Sequence, residues 1–388
     1  TTIGEYAFGY CESLASVTIP DSVTEIGHMA FSYCHSLKTV YCKPTTPPTG
    51  GYNMFDNNAA GRKIYVPAES VVAYKEAYGW SVYKDYIFAE GVESESANDE
   101  IWYTNGSTTE PTAPYNPDAF GSATIQSNTY DAEKECWVIK FDKDLTEIGE
   151  SAFWNCTSLT SVTIPDSVTT IGESAFDWCY SLTSVTIGDS VTTIGDKAFY
   201  KCNSLTSVTI PDSVTTIGEK AFSECGSLTS VTIGNSVTTI GEYAFWACFE
   251  LTSVTIGNSV TTIGNHAFYY CTSLTSVTIP DSVTTIGAGA FCGCDSLKEF
   301  KGKFAADNGR CLIMDNTIIA YANASGTTYT IPDSVTTIGD SAFAGCDSLT
   351  SVTIPDSVTT IGDYAFEYCR SLTSVTIGNS VTTIGDYA

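Results

Sequence analysis

LTSVTIPDSVTTIGESAFDWC, Leu159–Cys179, recurs down the chain in nine near-copies. Further copies start at Leu182, Leu205, Leu228, Leu251, Leu274 and Leu297, then at Leu349 and Leu372. Neighbours are 23 residues apart within each run. A fixed period of this size marks a solenoid, in which each repeat is one coil that cannot bury its apolar face alone. The fold class read from this is a β-rich repeat solenoid of 23-residue coils, each with two short parallel strands and a short helical turn.

Leu182 to Cys202 shows how one coil is expected to fold. Leu182, Val185 and Ile187 are separated by Thr183, Ser184 and Thr186. This near-alternation of β-branched residues reads as a strand with one buried face. A corner follows, Gly188-Asp189-Ser190 here and Pro165-Asp166-Ser167 in the coil before. Pro fixes φ near −65°, so the Gly copies are expected to share that φ. Val191 and Ile194 form the second strand. Gly195 recurs after this Ile in every complete coil, which points to a positive φ or a close backbone approach. Asp196 is placed to cap a helical turn over Lys197–Cys202. Ala198, Phe199 and Cys202 are expected to close the core.

Net charge is −27, from 44 acidic and 17 basic residues. Nucleic acid and anionic membrane surfaces reward Lys and Arg, so neither fits as a partner. No run approaches 18 apolar residues, so no membrane insertion is expected. Eleven of the fifteen cysteines fall in one repeat column, from Cys11 and Cys34 through Cys156 to Cys369. Coils stack about 4.8 Å apart, a poor match to the roughly 3.8 Å Cβ separation of a disulfide. Free, inward-pointing thiols acting as small hydrophobes are expected.

The repeat is not continuous. Residues 1–42 hold the end of a first array. Residues 43–90 break the pattern with KPTTPPTGGYNMFDNNAAGRK and read as its C-terminal cap, with Val71, Tyr74 and Tyr78 on one side of a short helix. The acidic stretch 91–100 reads as a linker. Residues 101–148 read as the N-terminal cap of a second array, with Trp137, Ile139 and Phe141 alternating as in a half-buried strand. That array occupies 149–388 and is interrupted at 298–331, where Cys294 and Cys346 stand 52 residues apart. The chain opens and closes inside a repeat, so a longer protein is expected.

The pattern L-x-x-V-x-I-[PG]-x-x-V-x-x-I-G-x-x-A-F-x-x-C resembles the BspA-like leucine-rich repeats. KGKFAADNGRCLI and the segment ending YKEAYGWSVYKDYIF are similar to elements of such proteins from gut bacteria. The resemblance covers nearly the whole chain. It implies a leucine-rich-repeat solenoid, placement at the cell surface or outside the cell, and a role in adhesion or binding. It supplies no catalytic residues.

Motifs for catalysis are missing as well. There is no G-x-S-x-G, P-loop or H-E-x-x-H, and His28, His35 and His266 have no ligand partner at helical spacing. A non-enzyme without metal or cofactor is expected. The corner column of Asp166, Asp189 and Asp212, continued by Asn235 and Asn258, reads as turn chemistry, with a bridging cation as the other reading. Binding residues are sought where coils differ. The variable positions lie two after the Gly, one and two after the Phe, and one after the Cys. Two adjacent coils fill them with Tyr243, Trp246, Phe249, His266, Tyr269 and Tyr270. These six rings are the candidate partner-binding residues. The partner expected is a protein, either basic, to suit the charge, or a component of host extracellular matrix. A spacer that displays another domain is the alternative.

Overall fold

The computed structural model describes residues 1–59, 62–67, 70–90 and 98–388. It divides into two units, Thr1–Glu95 and Ser96–Ala388. Residues 91–97, most of the expected linker, lie outside the described residues.

In the larger unit each repeat is one coil. Its first strand, Ser207–Ile210 for example, turns Val208 and Ile210 inward and Ser207 and Thr209 outward. Its second strand is only two residues long, Thr216–Ile217, with Ile217 buried. These second strands stack into one seven-stranded parallel sheet from Glu147–Ile148 to Thr285–Ile286. The register is one period, so Thr193 meets Thr216 and Ile194 meets Ile217. Side chains strengthen the stack. The Thr192 hydroxyl donates to the Thr169 carbonyl (3.1 Å) and the Thr183 hydroxyl to Thr160 (2.9 Å).

The expected helical turn is not helical. Lys197 (φ 54°) and Lys201 (φ 59°) are both left-handed, as are their column mates in the other coils. That conformation costs about 1 kcal/mol for a side-chain-bearing residue, and it ends any helix. What it gains is direction. The N–H groups of Lys197, Phe199 and Lys201 donate to the carbonyls of Glu219, Ala221 and Ser223 in the next coil, at 2.8, 2.7 and 2.9 Å. A helix would use those donors within its own coil. Nor does Asp196 cap its own turn. Its Oδ1 accepts the N–H of Glu219 in the next coil at 2.7 Å.

Of the two readings of the Gly column, the structure selects close approach. Gly195 has no positive φ. A Cβ there would lie 2.7 Å from the carbonyl carbon of Gly172 and 2.9 Å from the nitrogen of Glu173. The corner Asp column is closed on itself in the same way. Asp166 Oδ1 accepts the N–H of Asp189 at 2.8 Å, and Asp212 Oδ1 accepts that of Asn235 at 2.7 Å. Among the described residues no cluster of three or more His, Cys, Asp or Glu side chains could hold a metal ion.

The core runs along the stack. Phe153, Phe176, Phe199 and Phe222 lie ring over ring at 5.1 Å, within 7° of parallel, an offset stack matched to the coil spacing. Beside them lies the cysteine column. All fifteen cysteines are free and twelve are buried. The thiols are more than small hydrophobes. Cys202 donates to the carbonyl of Phe176 at 3.3 Å, Cys225 to that of Phe199 at 3.2 Å, and Cys179 to that of Phe153 at 3.1 Å. Each thus serves a buried acceptor of the coil before it. Burial pushes the Cys156 thiol up to about 11 and Cys248 to about 12, so both stay protonated donors. Cys11 is exposed instead.

At the first strand-column's start, Glu100–Thr104 pairs antiparallel with Ser161–Thr163 and with Cys136–Phe141, which pairs in turn with Ile125–Asp131. Cys136–Phe141 is a central strand, so Trp137 and Val138 are both buried and only Lys140 is exposed. Trp137, Ile139 and Phe141 form the buried face expected from their alternation, and the departure from half-burial is at Cys136 and Val138, which are covered on the other face. Near residue 300 the coil opens into a hairpin, Cys311–Met314 against Thr317–Tyr321. Thr317 and Ile318 rejoin the second-strand column by pairing with Thr337 and Ile338.

In the smaller unit Phe8, Phe31 and Phe55 continue the same kind of stack at 5.1 and 5.5 Å. Phe55 meets Trp80 and Tyr83. The helix Val71–Glu76 buries Tyr74, whose hydroxyl donates to the Pro44 carbonyl at 2.8 Å. Tyr78 falls past the helix end and is exposed, and Trp80 takes the buried place. Among the described residues no helix is long and apolar enough to cross a membrane.

Two measurements check this core. Phe222→Ala should cost about 3–5 kcal/mol in chemical denaturation, since the ring is fully buried between Phe199 and Phe245. An unchanged unfolding midpoint would reverse the inside–outside assignment. In native protein a bulky thiol reagent should leave the twelve buried thiols untouched until denaturant is added. Fast labelling of most of them would contradict the stacked column.

Candidate interaction surface

The left-handed turns put four columns of variable side chains along one edge of the larger unit. Two columns sit on the left-handed residues themselves, such as Tyr243 (φ 54°) and Tyr270 (φ 59°). Their backbone is fixed by the ladder to the next coil, so their side chains vary without disturbing the core.

All six candidate residues lie on two adjacent coils of this edge, and five of them form a connected group. Tyr243 stacks on His266 at 4.8 Å and 5°. Trp246 meets Tyr243 edge-on at 6.1 Å, and Tyr269 meets His266 edge-on at 5.2 Å. Tyr269 and Tyr270 lie 4.2 Å apart. Four of the rings are therefore half-buried, and exposure is concentrated in Phe249 (49%) and Tyr270 (40%). Phe249 stands apart, over Gly226 of the preceding coil.

Glycines in the next coil make room for this packing. A Cβ on Gly289 would come 2.9 Å from the His266 ring, and one on Gly293 would overlap the ring of Tyr270. Both rings lean along the stack rather than outward. Two polar atoms are left over. Trp246 Nε1 and His266 Nδ1 are shielded from water and have no partner. Burial lowers the His266 pKa, so the imidazole is a neutral group here.

Sequence reading missed that the edge extends toward the N-terminal side. Lys201 Nζ lies 4.7 Å from the Trp178 ring centre and 5.1 Å from that of Tyr200. The Tyr200 hydroxyl donates to Glu224 Oε1 at 2.6 Å, and Lys220 Nζ lies over Tyr243 at 5.2 Å. The signal was present, since Trp178, Tyr180 and Tyr200 occupy the same four columns, but alternation with Lys and Ser diluted it. Asp177 was missed altogether. It is 7% exposed, and its Oδ1 has no hydrogen-bond partner. Burial pushes its carboxyl up to about 6, against the pull of Lys197 and of the Ser174 and Trp154 side chains.

The profile of the BspA type leucine rich repeat region matches residues 1–105, 123–248, 192–306 and 318–388, in six copies. The chain belongs to this family. A leucine rich cell surface protein from Faecalibacterium prausnitzii A2-165 is 37% identical, over 66% of this chain and 69% of that one, with a TM-score of 0.56. The T. pallidum leucine rich repeat protein is 38% identical over 40% of this chain and 73% of its own, with a TM-score of 0.39. The pneumococcal vaccine antigen PcpA is 20% identical over 66% of this chain and 60% of its own, with a TM-score of 0.45. No curated protein sequence matches.

Asp177 supplies a pH test of the edge. Its folded carboxyl keeps the proton up to about pH 6, while an unfolded Asp releases it near 3.9. Its contribution is therefore most favourable below about pH 4 and is lost as pH rises through 6. Asp177→Asn should raise the melting temperature relative to the parent at pH 7.5 and leave it unchanged at pH 4. Equal melting temperatures at pH 7.5 would show the carboxylate is not desolvated.

Proposed function

We propose that this chain is a non-catalytic recognition solenoid, carried at the cell surface or secreted, that binds a protein through its aromatic edge. The observation that carries the proposal is the ring group on two adjacent coils, Tyr243, Trp246, His266, Tyr269 and Tyr270, with Phe249 beside it. Half-buried rings with exposed ends, set beside shielded and unpartnered Trp246 Nε1 and His266 Nδ1, have the make-up of an interface centre. The net charge of −27 favours a basic partner, through both steering and exclusion of acidic ones.

Membership in the BspA-type family supports a role in protein interaction, and the F. prausnitzii relative is described as a cell surface protein. Adhesion to host extracellular matrix is the specific form proposed. A spacer would vary without pattern around its coils, whereas here the rings gather in the four turn columns. We further propose that 43–90 and 101–148 act as caps, each closing one array with a core that is not repetitive.

The test is the double variant Trp246→Ala, Tyr269→Ala, assayed against a panel of immobilised extracellular matrix proteins alongside the parent. The fold should persist by circular dichroism, because neither ring belongs to the Phe stack. Binding should fall by about tenfold or more for truncation of central interface aromatics. A variant that keeps its fold and binds as the parent does would remove this edge as the recognition surface.

A further inference from the structure

The larger unit is not bonded evenly along its length. The second-strand sheet that starts at Glu147–Ile148 stops at Thr285–Ile286, and the next strand of that column, Thr317–Tyr321, belongs to a separate sheet. The Phe stack stops at the same level. Phe291 lies parallel to Phe268 at 5.5 Å, but its other ring neighbour is Phe300, at 70°, and a new stack begins with Tyr321 on Phe343. The turn ladder stops there too. Gly289, Phe291 and Gly293 hold the places of Lys197, Phe199 and Lys201, and no backbone carbonyl accepts from their N–H groups. A cavity of about 10 Å³, room for a single water, lies beside Phe291 and Cys292, against Ala320, Tyr321 and Ala344.

The hairpin of the enlarged coil forms a partition at this level. Leu312, Ala320 and Ala322 pack into the core of the preceding coils. Cys311, Ile318 and Tyr321 pack into a separate core that runs on to Ala365. Neighbours along one strand point to opposite faces, so the two cores are held apart by the strands between them. A few links cross the partition in place of the ladder. The Ala324 N–H donates to the Leu297 carbonyl and the Phe300 N–H to that of Gly309, both at 2.7 Å. The Cys292 thiol donates to the Ala344 carbonyl at 3.1 Å, and Asn323 Nδ2 lies 3.5 Å from Asp295 Oδ1.

The cohesion of a solenoid is a sum over interfaces between neighbouring coils. An interface that lacks the ladder is therefore where cooperativity ends. We propose that the larger unit is two cooperative blocks, 98–302 and 303–388, jointed at the partition, and that the second block opens and unfolds without the first. The joint borders the aromatic edge. The Tyr270 ring leans over Gly293, and a Cβ on Gly345 of the second block would lie 3.5 Å from the Gly293 nitrogen. Opening of the second block thus bares the Cys292 thiol and the end of the ring group, while the coils that carry the rings stay folded. The joint does not depend on what the edge binds.

Thiol labelling of the full 388-residue chain across a urea series, read residue by residue through peptide mass spectrometry, tests this. Cys225 and Cys248 report the first block, and Cys311 and Cys346 the second. All four are buried. Cys311 and Cys346 should become reactive at lower urea, because their block is the smaller. Cys292 should react with them, since its thiol is held by Ala344. Val335→Ala, at a fully buried position of the second core, should lower the midpoint for Cys311 and Cys346 by about 0.5 M or more. It should leave Cys225 and Cys248 where they were. Val237→Ala, in the first core, should do the reverse. If Val335→Ala keeps the second block from folding, Cys225 and Cys248 should still be protected without urea. Movement of all four thiols together in either variant, or Cys292 reacting only together with Cys248, would overturn the proposal.

Discussion

Hydrogen bonding from each coil to its neighbour, in a set that repeats every 23 residues, is the constraint on which the rest of this structure depends. Strand, turn, the Asp after the column Gly, and core Cys all satisfy it separately. Thr193 pairs with Thr216, Phe199 donates to Ala221, Asp196 accepts from Glu219, and Cys202 donates to Phe176. A coil one residue longer would put all of these out of register together. Near-identity of the copies follows from this, because a coil that satisfies its two neighbours serves equally at any place in the array. Where the period does fail, the chain rebuilds the columns with other residues. Tyr321 takes the ring position beside Phe343 at 5.1 Å, and Asn323 Oδ1 accepts from the Cys346 thiol at 2.9 Å in place of a Phe carbonyl.

The strands and the apolar columns were legible because their signals are direct. Alternating β-branched residues specify an inside and an outside, and a Phe at a fixed interval specifies a stack. The turn was not legible. Lys197, Tyr243 and Glu224 occupy left-handed positions for which those residue types have no preference. The tertiary ladder imposes the conformation, and the trace in the sequence is the use of Asn155, Gly289, Gly293 and Gly345 in those columns. A buried Cys likewise reads as a hydrophobe, and its role as a donor depends on a carbonyl 26 residues away. At the candidate surface, column by column comparison found the six aromatic and imidazole rings. It could not show that they lean on the following coil, since that depends on Gly289 and Gly293 leaving space. Asp177 occupies a variable position one after the column Phe, and only its packed surroundings reveal that it is desolvated.

The same ladder explains why the turn edge is the part of the coil free to diversify. A left-handed residue in isolation favours Gly or Asn. Once its backbone is held by hydrogen bonds to the next coil, the penalty is carried by the stack and the side chain becomes a free choice. Ser174, Lys197, Lys220, Tyr243 and His266 succeed one another in one such column with φ between 54° and 56°. Chemistry can therefore be written along this edge without rewriting the fold, which no strand column permits.

Stacking also decides how that chemistry is presented. Side chains in one column repeat at the coil spacing of about 5 Å, close to the contact distance of two rings. Aromatic residues placed in successive coils thus bury one another, as Tyr243 and His266 do at 4.8 Å. A longer run of rings becomes a rigid rib with little added exposure, and its exposed area collects where the run stops or a column is entered once. Tyr270 lies at such a stop, next to Gly293, and Phe249 is flanked in its column by Gly226 and Thr272. The surface offered to a partner is set by the boundaries of the aromatic run, and its stiffness by the rings behind them.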